Sequence, residues 1–129
     1  EERNYMSVCA YCGLPSDTKD HVIPQSEKAY NPYDKDHTVP CCRECNSTLG
    51  AKPFYSVAER ASYLRRVYEK KYEKILKIPT WEPHEIEELS GRLQTNIMQS
   101  QWLKQEVRMR LEHLEYVVVI APTIREANE

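Results

Sequence analysis

Apolar residues change their rhythm along this chain, and the changes mark its elements. Thr18-Lys19-Asp20-His21-Val22-Ile23 alternates in the period of two expected of a short strand, and Pro24 ends it. His37-Thr38-Val39-Pro40 predicts a second short strand pairing with the first, and Cys42 to Leu49 suits a short helix stopped by Gly50. Between the strands, residues 25–36 form a polar loop. From Val57 the period lengthens: Val57, Ala61, Leu64, Tyr68, Tyr72 and Ile75 fall on one helical face over residues 57–77. Ser56 and Glu59 supply a capping box at its start. Ile78-Pro79-Thr80 breaks this helix. Thr80 or Glu82 caps the next, with Pro83 near its first position. Ile86, Leu89, Leu93, Ile97, Leu103, Val107, Leu111 and Leu114 keep the helical rhythm to about residue 116, with Gly91 a point of division. The run Tyr116–Ile120 suits a strand or a helix end equally, and Pro122 is expected to end it.

The pattern therefore predicts an α+β chain with two parts. Residues 1–53 hold the short strands and short helix, and residues 54–129 form a mainly helical extension. With 129 residues and 40% apolar content, the core is limited. No run approaches a membrane span and no signal-peptide core opens the chain, so a cytoplasmic location and no membrane partner are expected.

Charge changes the picture more by place than by sum. The net charge is only −2, yet residues 51–78 carry eight Lys/Arg against three Asp/Glu, while the flanks are acidic. Arg66, Lys70, Lys74 and Lys77 share one face of the long helix. With Arg43 and Lys52 they are candidates for a phosphate backbone, although a solvated helix face has the same composition. Tyr55, Tyr63, Tyr68 and Tyr72 are expected to pack, and His84 and His113 to lie at the surface. Trp81 and Trp102 are expected to anchor helix packing or to mark a partner surface.

Four of the five cysteines form two Cys-x-x-Cys pairs, Cys9/Cys12 and Cys42/Cys45, with Cys41 spare. Two thiolates three positions apart can grip one ion, and two such pairs complete a tetrahedral zinc site. A finger of some 50 residues buries too little to stand alone, so this metal would supply much of its stability. Between the pairs stands Asp20-His21, and directly after the second stands Asn46. An imidazole can take a proton from water, while a carboxylate and an amide offer hard oxygen ligands to a divalent cation.

The ordered set Cys9-x-x-Cys12, Asp20-His21-Val-Ile-Pro24, Val39-Pro40-Cys-Cys42-Arg-Glu-Cys45-Asn46 closely resembles the HNH endonucleases carrying a four-cysteine structural zinc. The resemblance covers about residues 9–50 and implies a zinc-stapled ββα-metal, treble-clef-like finger that hydrolyses DNA. It implies that His21 is the general base, and that Asp20 and Asn46 hold a catalytic Mg²⁺ or Mn²⁺. Cys9, Cys12, Cys42 and Cys45 match the structural Zn²⁺ ligands. His37 stands where the family usually has an asparagine that positions the loop and the base. A histidine there could take over the positioning, join the metal, or signal impaired turnover. The alternative reading is a non-catalytic zinc module for nucleic-acid or protein binding, or an accessory subunit of a phage packaging or restriction system. The helical extension is the candidate surface for a homo-oligomer or partner protein.

Overall fold

The computed structural model describes residues 7–22 and 38–128, with side chains as far as residue 121. Ile23, Pro24, the polar loop expected at residues 25–36 and His37 lie outside the described residues. The first turn is a knuckle. Cys9 N–H donates to Leu14 O and Gly13 N–H to Cys9 O, while Val8 and Pro15 bridge across it. Gly13 closes the turn at φ +85°. A side chain there would be strained by that angle, and its Cβ would also stand 3.0 Å from the His113 ring.

Two short strands follow, β1 (Thr18–His21) and β2 (Thr38–Cys41). They pair antiparallel, with Thr18 opposite Cys41 and His21 opposite Thr38. Pro40 has no N–H, but its carbonyl accepts from Ala10, so β2 also carries the knuckle. Helix α1 (Arg43–Leu49) starts directly from the second cysteine pair. Its cap is Cys42, whose Sγ accepts from Cys45 N–H, and Gly50 ends it at φ +50° with its N–H on Asn46 O. Strand, strand and short helix thus take the predicted order, and the chain is mixed α and β.

The long amphipathic run divides. Helix α2 (Val57–Lys71) is capped by Ser56, whose hydroxyl accepts from Glu59 N–H at 3.1 Å. Glu59 reaches back to Tyr55 N–H and the Ser56 hydroxyl, each at 3.3 Å. A break at Tyr72 separates a single turn, α3 (Glu73–Leu76), from it. Helix α4 (Pro83–Glu87) opens on the Glu82/Glu85 capping box with Pro83 inside it. Gly91 does begin a new helix, α5 (Gly91–Asn128). The run 116–120 is helical, and the end expected at Pro122 does not occur there. Proline removes one backbone donor, and the turns before it are held: Val117 is buried in the core, and Val118 and Ala121 pack against it.

Helices α2 and α5 lie against one another and over the finger. Ala61, Leu64 and Tyr68 from α2 join Leu114 and Val117 from α5 in one buried cluster with Cys9, Tyr11, Cys12, Cys41, Cys42, Cys45 and Leu49. Each fully buried leucine or valine there contributes about 1.5–3 kcal/mol of transfer free energy. The core of the finger is therefore completed by helices that follow it in sequence.

Candidate metal centre and nuclease site

The four sulfurs of Cys9, Cys12, Cys42 and Cys45 lie within 4.8 Å of one another, and all four residues are buried. Cys12 and Cys42 Sγ are 3.7 Å apart. Four sulfurs each about 2.3 Å from a zinc ion form a tetrahedron with edges of about 3.8 Å, so the donor set fits zinc in type, number and spacing. Cys12 N–H points to Cys9 Sγ at 3.5 Å and Cys45 N–H to Cys42 Sγ at 3.4 Å. These donors stabilise negative charge on sulfur. Among the described residues this is the one such grouping of His, Cys, Asp and Glu, and Cys41, though buried, is outside it.

Crowding divides the thiols. Hydrogen bonding with Cys12 draws the Cys9 thiol below its ordinary range and the Cys42 thiol down to about 7. Hydrogen bonding with Cys42 pushes Cys12 up. A bound zinc would take all four as thiolates and leave the cluster with a net charge of −2.

The helices answer that charge. Tyr68 of α2 donates its hydroxyl to Cys45 Sγ at 3.1 Å, and burial, then this contact, keeps the phenol protonated. Arg110 of α5 is nearly buried, 4.6 Å over the Tyr68 ring and 3.0 Å from Glu44 of α1. Burial opposes its charge, but contact with Cys12 and the charges of Cys12 and Glu44 raise its affinity for the proton. His113, expected at the surface, instead packs on Gly13 and places a ring nitrogen 2.8 Å from Tyr11 O. Neither residue was recognisable as part of the metal centre from its neighbours. The signal for Arg110 was its position beside Leu111 and Leu114 on the inward face of an apolar helix.

A second buried network surrounds Asp20. Its carboxylate is 2% exposed and is gripped by both edges of the Arg60 guanidinium. Nε donates to Oδ2 and Nη2 to Oδ1, each at 2.8 Å. Tyr11 adds its hydroxyl to Oδ2 at 2.6 Å, and Arg60 Nη1 donates to Phe54 O. Burial, then the charge of Asp20, raises the Tyr11 phenol well above its ordinary range, so it remains a donor. Arg60 itself is fully buried. A bidentate pair of this kind is among the stronger side-chain contacts, and removing one member strands the other charge out of water.

His21 follows Asp20 on β1, so its side chain leaves the opposite face of the strand, and it is only partly buried. Asn46, on α1, donates from Nδ2 to Thr18 Oγ1 at 3.2 Å and to Lys19 O at 3.1 Å. The helix carrying the second cysteine pair is thereby tied to the strand carrying Asp20 and His21. The nitrogen end of the amide is thus committed to β1.

Residues 9–52 match the model of the HNH endonuclease family. That segment, about a third of the chain, is similar to HNH endonuclease domains. Comparison with curated proteins gives no significant match, and neither does comparison with solved structures. The matched segment runs from Cys9 to just beyond α1, so α2 and α5 lie outside it while supplying Arg60, Tyr68 and Arg110 to it.

The donor set for a second, hard cation fits less well than the set for zinc. The sequence pairs Asp20 with Asn46, but Asp20 in this arrangement is enclosed by Arg60 and Tyr11 rather than facing solvent. The candidate backbone-binding cations lie outside. Arg66, Lys70 and Lys74 are exposed on α2 and the turn after it, Arg43 pairs with Asp17 at 3.0 Å, and Lys52 lies over the Tyr63 ring. No helix among the described residues is long and apolar enough to cross a membrane.

Proposed function

We propose that this chain is a metal-dependent HNH endonuclease acting on DNA, with a finger at residues 1–53 and a helical extension at 54–129. The observation that carries the reading is the joint occurrence of the HNH match over residues 9–52 with a buried four-sulfur centre of zinc dimensions. His21 is the proposed general base, accepting the proton of the attacking water. A divalent Mg²⁺ or Mn²⁺ ion would neutralise charge developing on the leaving oxygen, and Asn46 Oδ1 and Asp20 are its proposed ligands. Asp20 can serve only after exchanging Arg60 for the ion. Arg43, Lys52, Arg66, Lys70 and Lys74 are proposed to hold the phosphate backbone.

The Asp20–Arg60 pair favours a second reading. If Asp20 stays with Arg60, the finger keeps its zinc and its basic helix but binds nucleic acid or protein without cutting. Incubation with supercoiled plasmid and Mg²⁺, Mn²⁺ or no metal separates the two. Nicking that requires metal and disappears in His21→Ala supports hydrolysis by this site. Nicking that survives His21→Ala removes His21 as the base. Retained plasmid binding with no nicking under any metal establishes the second reading.

A further inference from the structure

Helix α5 has two apolar stripes, and the described residues cover only one. Inward, Val107, Leu114 and Val117 are buried with Arg110. Outward, Trp102 is 64% exposed, Met109 59%, Tyr116 60% and Val119 66%. Trp102, Met109 and Tyr116 recur every seven residues. Gln105, Glu112 and Val119, all exposed, fall three positions after each of them. At about 100° per residue this seam lies about 150° around the helix from Val107 and Leu114. A 4-3 repeat is the spacing with which one helix meets another along a shared line, and here it extends over roughly 26 Å.

We propose that the outward seam of α5 is an interface for a second copy of this chain, docked antiparallel. The charges choose both the occupant and its direction. In a parallel pair Glu112 would face Glu112 within the seam. In an antiparallel pair centred between Met109 and Glu112, Trp102 meets Val119 of the second copy, and Gln105 meets Tyr116. Arg108 then falls beside Glu115 of the second copy, twice by symmetry. Arg108 is exposed, and Glu115 is 62% exposed, 3.4 Å from Arg65, so the new pair would extend an existing one. Across the seam, Thr80, Lys104, Gln105, Arg108, Met109 and Glu112 line a hollow of about 220 Å³ that a facing aromatic ring can enter. Two large aromatics, a methionine and a valine at these exposures offer roughly 500 Å² of apolar surface per copy. With the flanking polar groups that approaches the ~800 Å² per partner of a stable interface.

Sedimentation velocity on the zinc-loaded chain from 1 to 200 μM tests this. The expected result is a monomer–dimer equilibrium with a dissociation constant in the micromolar range. Trp102→Glu/Met109→Glu should weaken it about 100-fold while leaving the thermal melt and bound zinc unchanged, because both side chains point outward. Arg108→Glu should weaken it about 10-fold, and Arg108→Glu/Glu115→Arg should restore it. A chain that is monomeric throughout, or a dimer indifferent to the Trp102/Met109 change, overturns the interface. A dimer weakened by Arg108→Glu and not restored by the double exchange overturns the antiparallel register.

Discussion

The four-cysteine centre and the Asp20 network are neighbours in one finger, yet they are built in opposite ways. The metal centre draws its four ligands from two local pairs, and distant helices only tune it through Tyr68 and Arg110. The Asp20 network has one local member that matters to the proposed chemistry, and its strongest partner, Arg60, comes from a helix 40 residues on. A metal ion can organise a site from spacing alone because its bonds are strong and its geometry is fixed. A buried carboxylate has to be matched by tertiary structure. The same extension that packs on the four-cysteine cluster is what occupies the acid.

Withdrawing the metal breaks the comparison most severely. A strong chelator, or Cys45→Ser, is expected to unfold the finger and loosen α2 and α5 with it, because structural zinc in small domains contributes on the order of 10 kcal/mol or more. Circular dichroism alongside metal analysis checks this. About one zinc per chain should be found before treatment, and helical signal should fall as it leaves. Retention of a cooperative melt without zinc would show that the helical cluster alone sustains the fold.

Removing Arg60 is next. Arg60→Met leaves Asp20 buried without its cation and should cost about 3–5 kcal/mol in urea denaturation. Asp20→Asn strands the guanidinium instead and should cost a similar amount. The double variant should be less damaging than the sum, because neither charge then remains unpaired. Simple additivity would mean that the two residues act independently.

These two sites also explain what could be read in the sequence. The cysteine pairs, the two strands, α1 with its Gly50 stop and the caps at Ser56 and Glu82 depend on residues close in the chain, and each was legible. Arg60 was not, because a periodicity argument sorts positions into apolar and polar faces and assigns a charge to solvent. It sits beside Ala61 and four positions before Leu64, on the inward face, and that misplacement was the available clue. Trp102 is the opposite case. It was expected to anchor helix packing or to mark a partner surface, and it stands outward on α5. The passage of α5 through Pro122 was hidden because the turns before it are held by core contacts that the sequence does not display.

Tyr68→Phe sharpens the contrast from the metal side. It removes one hydroxyl from Cys45 Sγ and leaves the ring stacked under Arg110. The expected loss of stability is about 1 kcal/mol, that of a single buried hydrogen bond. Zinc transfer to a colorimetric chelator should quicken several-fold, since the thiolate loses a donor that favours it. An unchanged transfer rate would reduce Tyr68 to a packing residue.

The smallest effect concerns Glu44, where the two halves of the structure meet. Lys71 donates to its Oε2 at 2.7 Å, Tyr72 also donates to it, and Arg110 stands 3.0 Å from Oε1. Partial burial opposes ionisation, but these contacts outweigh it and hold the carboxyl below the ordinary glutamate range. A lowered folded-state value means that the ion pairs contribute fully above the unfolded value of about 4.3 and are lost as pH falls through the folded one. Acid will also release zinc by protonating thiolates, so the wild-type pH profile alone decides nothing. The difference between wild type and Glu44→Gln isolates the carboxylate. Because Lys71 is exposed, that difference should be no more than about 1 kcal/mol near pH 7 and should shrink below pH 4. A gap that persists unchanged into acid would assign the effect to the packing of the Glu44 side chain rather than to its charge.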